Sequence, residues 1–269
     1  MGLSEYLEND VVSRHSASES DRFGFATDRI TVGTGAIADA ERLVGTVGAI
    51  ERAMAASTAT VTILRYPSEA LSLVRDVAWT DVALYPAGTL VYWQGPALAD
   101  QPDIQPDIRQ DGSMEVLPRD RQRFSADILA VLRDSFHDYV NHYSANPLIE
   151  PGVVVEGYAE WAASTMSHPD NRVFAVAASG GEAIAVAVVA VVGGDWEIEL
   201  ASVAGHAQRQ GHYATLIRRV TSAAKTAGAE RVIISTQAHN IGVQRAWAKL
   251  GFVPIAAIDT VHVVARSAL

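Results

Sequence analysis

The apolar positions of the chain change period several times, and each change marks an element. The first 22 residues show little pattern. Ser13-Arg14-His15-Ser16-Ala17-Ser18-Glu19-Ser20 offers too little apolar surface to bury, which predicts a flexible tail or a short surface helix over 1–22. Leu43, Val44, Val47 and Ile50 recur at helical spacing and predict a helix over 39–56. Residues 60–65 alternate and are β-branched, the signature of a strand. Pro67 predicts the start of a helix over 70–78, and 80–85 and 90–93 read as two further short strands. Together these make a small α/β unit over 23–114. Pro96, Pro102, Pro106 and Pro118 crowd the stretch 95–123, which predicts a linker and a domain boundary near residue 115.

Beyond the linker the pattern is stronger. Phe124, Ile128, Leu129, Leu132 and Phe136 share one helical face, and the helix is expected to run toward Tyr143 before Asn146-Pro147 stops it. A second helix follows over 155–167. Strands over 172–178 and 183–192 meet at Gly180-Gly181 as a hairpin, and Gly193-Gly194 turns into a strand over 196–203. A helix over 213–226, a strand over 230–236, a helix from Asn240 and a strand over 260–265 complete an α/β class chain. No internal repeat is present.

Composition narrows the function. The chain has 269 residues, 49% of them apolar and 19% charged, enough for one large or two small cores. With no cysteine there is no disulfide, no thiolate zinc site and no Cys nucleophile, which fits a cytoplasmic protein. No metal-ligand spacing stands out. A net charge of −10 argues against a nucleic-acid partner, because phosphate backbones require clustered cations. The opening residues lack a basic and an apolar leader region, and the longest apolar run, 183–192, is about half a membrane span. It reads as a buried strand, and no membrane partner is expected.

The most informative stretch is Gln208-Arg209-Gln210-Gly211-His212-Tyr213-Ala214. It places a Gly-containing turn where a strand hands over to a helix. Unpaired N–H groups and the positive end of the helix dipole there suit a diphosphate. Gln208 and Gly211 resemble the acyl-CoA-binding motif Gln/Arg-x-x-Gly-x-Gly/Ala of the GCN5-related N-acetyltransferases, while Tyr213 departs from its small third position. The strand 230–236 and the Asn240-led helix ending at Gly251-Phe252 are similar to that family as well, and the resemblance covers 124–266. It implies a mixed central sheet with helices on both sides, a C-terminal acetyltransferase domain over 115–269, and acetyl-CoA as co-substrate. Arg22-Phe23-Gly24, the string 134–143 and Gly157-Tyr158-Ala159-Glu160-Trp161 resemble sugar-nucleotide, dTDP-fucosamine-type N-acetyltransferases, in which a small α/β domain precedes the acetyltransferase domain. That implies a nucleotide-linked amino sugar as acceptor. An amino acid, a peptide, an antibiotic amine or a non-catalytic acyl-CoA-binding role are the alternatives. A homodimer is a further arrangement this reading allows.

Residue roles follow from the chemistry of amine acetylation, which needs a neutral amine, a stabilised oxyanion and a tolerated thiolate. Glu197 and Glu199 stand at i and i+2 on the strand leading into the motif, on one face, and are the candidate bases; solvated strand carboxylates are the alternative. The resemblance implies that this strand splays from its neighbour and offers amides near Ser202, Val203 and Ala204 to the acyl arm. It also implies that Gln208, Arg209, Gln210, Gly211, His212, Tyr213 and Ala214 hold the diphosphate and that Asn240, otherwise an N-cap, bonds the cofactor. Seven residues on, where many members carry a Tyr acid, stands Trp247, whose indole is no useful acid. Tyr213 or a water could serve instead, and Trp247 is read as a packing residue. Tyr139, His142 and Tyr143 are the candidate acceptor-lining residues.

Overall fold

A computed structural model of the chain describes residues 2–7, 10–96 and 112–269. Pro102 and Pro106 of the expected linker lie outside the described residues. The strands are β1 (Val11–His15), β2 (Thr27–Val32), β3 (Val61–Pro67), β4 (Val82–Gln94), β5 (Ser113–Glu115), β6 (Arg172–Ala177), β7 (Ala183–Val192), β8 (Asp195–Val203), β9 (Arg231–Gln237) and β10 (Val253–Ala265). The helices are α1 (Ala17–Phe23), α2 (Ala40–Ala56), α3 (Leu73–Asp76), α4 (Arg121–Phe136), α5 (Pro151–Ser167), α6 (His212–Thr226) and α7 (Ile241–Lys249). The expected α/β class with a mixed sheet is what the chain forms.

All these strands join one sheet in the order β1-β2-β3-β10-β4-β9-β8-β7-β6-β5. The pairs β2/β3 and β8/β9 are parallel, each crossed by a helix, and the remaining pairs are antiparallel. The sheet is therefore continuous across the boundary expected near residue 115. The last strand, β10, lies between β3 and β4, and β4 lies between β10 and β9. Two strands of the N-terminal half are thus bonded directly to the C-terminal half.

The expected tail is also folded onto the sheet. Leu3 and Tyr6 are buried against Tyr92, Ile233 and Ile258. Residues 11–15 pair with β2, and Arg22 lies across α5 where Gly157 leaves room; a Cβ there would sit 2.6 Å from the guanidinium. What makes this segment pack is contact with distant strands, which its own composition does not reveal.

Other differences have local causes. The strands expected at 80–85 and 90–93 are one strand, β4, bent through Pro86 and Gly88 (φ +86°) where its register with β10 shifts. Pro67 ends β3 rather than starting a helix, in keeping with a residue that has no N–H to give, and α3 is confined to 73–76. Helix α4 stops at Phe136 instead of reaching Tyr143. Asn141 accepts from the Tyr143 N–H at 2.8 Å, and Ser144 accepts from the Asn141 N–H, so a capped 3-10 turn replaces the helix.

One face of the sheet is covered by α4 and α5, with Val131, Leu132, Ala162 and Met166 packed on Val173, Val188 and Leu200. The other face carries α6 and α7, with Leu216, Ile217, Val220 and Trp247 on Trp196, Ile198, Val232 and Ile234. On the N-terminal strands Ile50 of α2 and Leu73 of α3 join Ile30, Leu64, Val261 and Val263 in a third cluster. No helix of the described residues is long and apolar enough to cross a membrane.

This topology predicts that a fragment spanning 115–269 is not a stable monomer. It would leave both edges of β10 and one edge of β9 unpaired, each a row of open donors and acceptors. Size-exclusion chromatography should find it aggregated, and a monomer with native circular dichroism would contradict the expectation.

Candidate functional site

The site begins with a defect in the sheet. Strands β8 and β9 pair only from Asp195/Arg231 to Ile198/Ile234. Beyond that point β8 stays with β7, through Ala201/Ala187, Ser202/Val186 and Val203/Ala185. The end of β9 stays with β4, through Ser235/Tyr92, Thr236/Val91 and Gln237/Leu90. The two strands therefore part as a V, as expected for the stretch around Ser202. The Ser202 hydroxyl is buried beside this opening and has no hydrogen-bond partner. Ala204, by contrast, already gives its N–H to the Ile184 carbonyl at 2.8 Å. The Val203 carbonyl accepts from the Ser135 hydroxyl at 3.1 Å and from the Gln208 amide at 3.2 Å.

The motif follows at the mouth of the V. Gln208 anchors the turn to Val203, and Gln210 bonds the His206 carbonyl at 3.1 Å. Arg209 (φ +63°) and Gly211 (φ +90°) are left-handed, which bends the chain sharply into α6. The amide N–H groups of 209–214 donate to no other described residue, and Thr215 is the first to bond back, to Gly211. A consecutive run of open amides at a helix N-terminus is a site for an anion. A Cβ at Gly211 would meet nothing within 4 Å, so the space above the turn is open.

Tyr213 does not face that space. Its ring packs into the cluster that holds Val203 and Trp247, and its hydroxyl accepts from the Trp247 indole N–H at 2.9 Å. This is how a large residue replaces a small one without closing the turn: the side chain turns inward. Trp247 is fully buried, edge-on to Trp93, so packing and a hydrogen bond coexist in one residue.

Asn240 precedes α7, but its side chain does not cap the helix. It donates to the Thr236 hydroxyl at 3.1 Å. Tyr139, from the segment after α4 on the opposite side of the sheet, reaches the same hydroxyl at 3.3 Å. Tyr139 therefore spans the sheet at the opening. Thr236 is the hub of this wall, and sequence reading missed it, because a threonine on a strand gives no signal of its own. His142 and Tyr143 do not share the opening. His142 bonds His262 at 2.9 Å, and the Tyr143 hydroxyl donates to Glu19. Both rings belong to a buried polar network under the N-terminal strands.

Glu197 and Glu199 lie on the α4/α5 side of β8. Thr165 of α5 donates to Glu199 at 2.6 Å. Glu197 accepts from the Leu3 N–H at 2.9 Å and 3.2 Å to its two oxygens. Burial pushes the Glu197 carboxyl up, the Leu3 N–H opposes it, and the result is a pKa raised to about 7. Leu3 was another partner hidden from sequence, 194 positions away.

Residues 131–252 match the model of the Acetyltransferase (GNAT) family. No curated protein sequence matches the chain. Among solved structures, a GCN5-related N-acetyltransferase from Sphaerobacter thermophilus is similar with a TM-score of 0.56 at 14% identity, over 94% of this chain and 75% of that one. A functionally unknown conserved protein from Staphylococcus epidermidis is similar with a TM-score of 0.57 at 10% identity, over 97% of each chain. At these identities the likeness concerns the fold, and it extends beyond the stretch matched by the family model.

Glu197 yields a prediction on stability. Its folded pKa of about 7 lies above the ordinary 4.5, so the folded chain holds a proton that the unfolded chain releases. Its contribution is thus present below pH 4.5 and is lost as pH rises through 7, by about 3 kcal/mol in all. Glu197→Gln cannot ionise, so urea unfolding should show this variant gaining on the wild type between pH 5 and pH 8. Parallel pH profiles would contradict the assignment.

Proposed function

We propose that the GNAT acetyltransferase domain of this chain moves an acetyl group from acetyl-CoA to the amine of a small molecule. The observation that carries this reading is the parting of β8 from β9 beside the open amides of 209–214. A slim thioester arm fits the first feature and an anionic diphosphate the second. In this reading Gln210, Gly211, His212, Tyr213 and Ala214 offer backbone N–H groups to the diphosphate, and Arg209 adds a cation. Gln208 shapes the turn. Ser202 and Val203 line the arm on one side, with Asn240 on the other, held through Thr236. The buried, unpartnered Ser202 hydroxyl is the group that most needs an outside partner.

Glu197 takes the proton from the attacking amine, because a carboxyl with pKa near 7 is both ionised and basic enough at neutral pH. Glu199, held by Thr165, keeps a second negative charge nearby. For the acceptor we infer an amino sugar carried on a nucleotide diphosphate, on the likeness of 134–143 and 157–161 to sugar-nucleotide acetyltransferases. In this reading Tyr139, whose hydroxyl lies 3.3 Å from that of Thr236, contacts it. Such a reaction belongs in the cytoplasm, where acetyl-CoA is made and used.

Calorimetry with acetyl-CoA tests the donor site. Wild type should bind, and both Arg209→Glu and Gly211→Glu should weaken binding by about tenfold or more, since each sets a carboxylate against the diphosphate. Equal binding by all three proteins would place the site elsewhere. Free thiol release with a panel of amines then identifies the acceptor: a dTDP-aminosugar supports the inferred class, and release with an amino acid, peptide or antibiotic alone replaces it.

The base assignment predicts a rate that rises with pH through about 7. Glu197→Gln should lower kcat on the order of 10²-fold and flatten that rise. A variant within a few-fold of wild type, with the same profile, would show that the amine arrives neutral or gives its proton to solvent.

A further inference from the structure

We propose that residues 2–7 are a strap filling the acceptor's seat, which the acceptor must displace, and that the Tyr92 hydroxyl beneath them then binds the acceptor; this rests on the acetyl-transfer reading above. The argument starts from where the segment lies. Glu197 pairs with Ile233, one register position before β8 and β9 part. Tyr92 pairs with Ser235, the first residue of β9 beyond the parting. Leu3 and Tyr6 pack on Tyr92, Ile233 and Ile258, so the segment lies across the apex of the opening, on the face that carries Glu197.

Its contact with Glu197 has the form of a substrate contact. The Leu3 N–H is shared between both carboxylate oxygens, at 2.9 Å and 3.2 Å, and a Cβ on Gly2 would sit 2.5 Å from one of them. Glycine thus lets the backbone close over the carboxylate. In this arrangement Glu197 is only 6% exposed. An acceptor amine must donate an N–H to the same carboxylate before it can lose that proton. The Leu3 amide makes this contact, but its nitrogen lone pair is delocalised into the carbonyl and does not attack. It fills the place of the amine without reacting.

Beneath the segment lies a group that the chain leaves unsatisfied. Tyr92 is fully buried beside the Tyr6 ring, centroids 5.9 Å apart, and its hydroxyl has no hydrogen-bond partner among the described residues. Burial, with Tyr6 and Glu197 close by, pushes the phenol well up, so the group stays a neutral O–H donor. A buried hydroxyl without a partner points to one from outside the chain. Once Tyr6 withdraws, this O–H shares the seat with Glu197 and suits an oxygen of the acceptor.

The hold on the segment allows release. It is a single 3-10 turn, Leu3–Tyr6, whose backbone bonds from Glu5 to Gly2 and from Leu7 to Ser4 are internal. Among the described residues its backbone exchanges no hydrogen bond with the backbone of any strand, so it can open without breaking the sheet. Its anchors include the Leu3 and Tyr6 side chains, the Leu3 N–H, and Arg65 donating to the Tyr6 hydroxyl at 3.2 Å.

The experiment compares wild type, Leu3→Pro and Tyr92→Phe as full chains, with acetyl-CoA and the most reactive amine of the panel. Leu3 opens the turn and follows an extended Gly2 (ψ 167°), a place that accepts proline, so the substitution removes the N–H on Glu197 and trims the apolar anchor. At about pH 8, above the Glu197 pKa of about 7, Leu3→Pro should lower the acceptor KM by about tenfold, because the seat is open for a larger fraction of the time. Its acetyl-CoA affinity should stay within a few-fold. Tyr92→Phe removes a hydroxyl with no partner in the chain, so a merely structural role would not raise the acceptor KM; a several-fold rise is expected. Hydrogen exchange in wild type reads the strap directly: the amine added with CoA, a pair that cannot react, should speed exchange of the amides of 3–7. A Leu3→Pro protein whose acceptor KM is unchanged or raised, or exchange over 3–7 that the amine leaves unchanged or slows, overturns the strap and leaves acetyl transfer standing. A Tyr92→Phe protein with the wild-type KM overturns the role of Tyr92. If Leu3→Pro does not fold, the exchange measurement decides. A wild type that neither binds acetyl-CoA nor releases thiol overturns the parent reading and this proposal together.

Discussion

A sheet coheres because neighbouring strands exchange backbone hydrogen bonds, and between β8 and β9 that exchange stops after Ile198 and Ile234. Leaving buried amides unpaired costs about 1–3 kcal/mol each, so two strands part only where something holds each of them. For β8 the holder is β7, its sequence neighbour. For β9 it is β4, contributed by the first hundred residues. The opening thus depends on a strand far away in sequence, and the N-terminal half is tied to the site through backbone bonds rather than through a surface contact.

The same half is secured by buried charge. Glu19 and Arg29 make two hydrogen bonds, at 2.5 Å and 2.6 Å, and Tyr143 adds a third to Glu19. Burial alone would push the Glu19 carboxyl up, yet the Arg29 bonds and charge outweigh it and hold the group at about 2. Beside them His142, His262 and Asn146 bond one another, and burial together with the Arg65 charge keeps both imidazoles neutral, His262 at about 3. Buried ion pairs add little net stability against apolar packing, but breaking one is costly. The network therefore acts to fix how α1, β2 and the 142–145 turn meet β10.

Tyr213 illustrates how a departure from a motif is accommodated. The space above Gly211 is open, and the large side chain at 213 leaves it so by turning inward. Trp247 supplies both an apolar wall and an N–H for it to turn toward. The departure at Tyr213 in α6 and the tryptophan at 247 in α7 are a single arrangement in space.

Periodicity in the sequence was sufficient for most elements of the C-terminal half, because its helices carry apolar residues at helical spacing and strands β6, β7 and β9, covered on both faces, carry near-continuous apolar runs. The Gly-containing turn from strand to helix was legible too, since Gly211 and the change of pattern are local. Tertiary structure alone decided the rest. Composition marked 1–22 as a tail or a short surface helix, and Ala17–Phe23 is helical, yet Leu3 and Tyr6 find their apolar and hydrogen-bonding partners on β4, β9 and β10 and on Glu197. His142 and Tyr143 look like acceptor-lining residues on a helix, but Asn141 ends that helix and His262 and Glu19 draw both rings inward. A proline-rich stretch suggested two modules, while β10 returned to lie between β3 and β4 and made one sheet. Local sequence determines which backbone a segment prefers; which strand it pairs with, and which buried group it must satisfy, depends on residues brought near only by the fold.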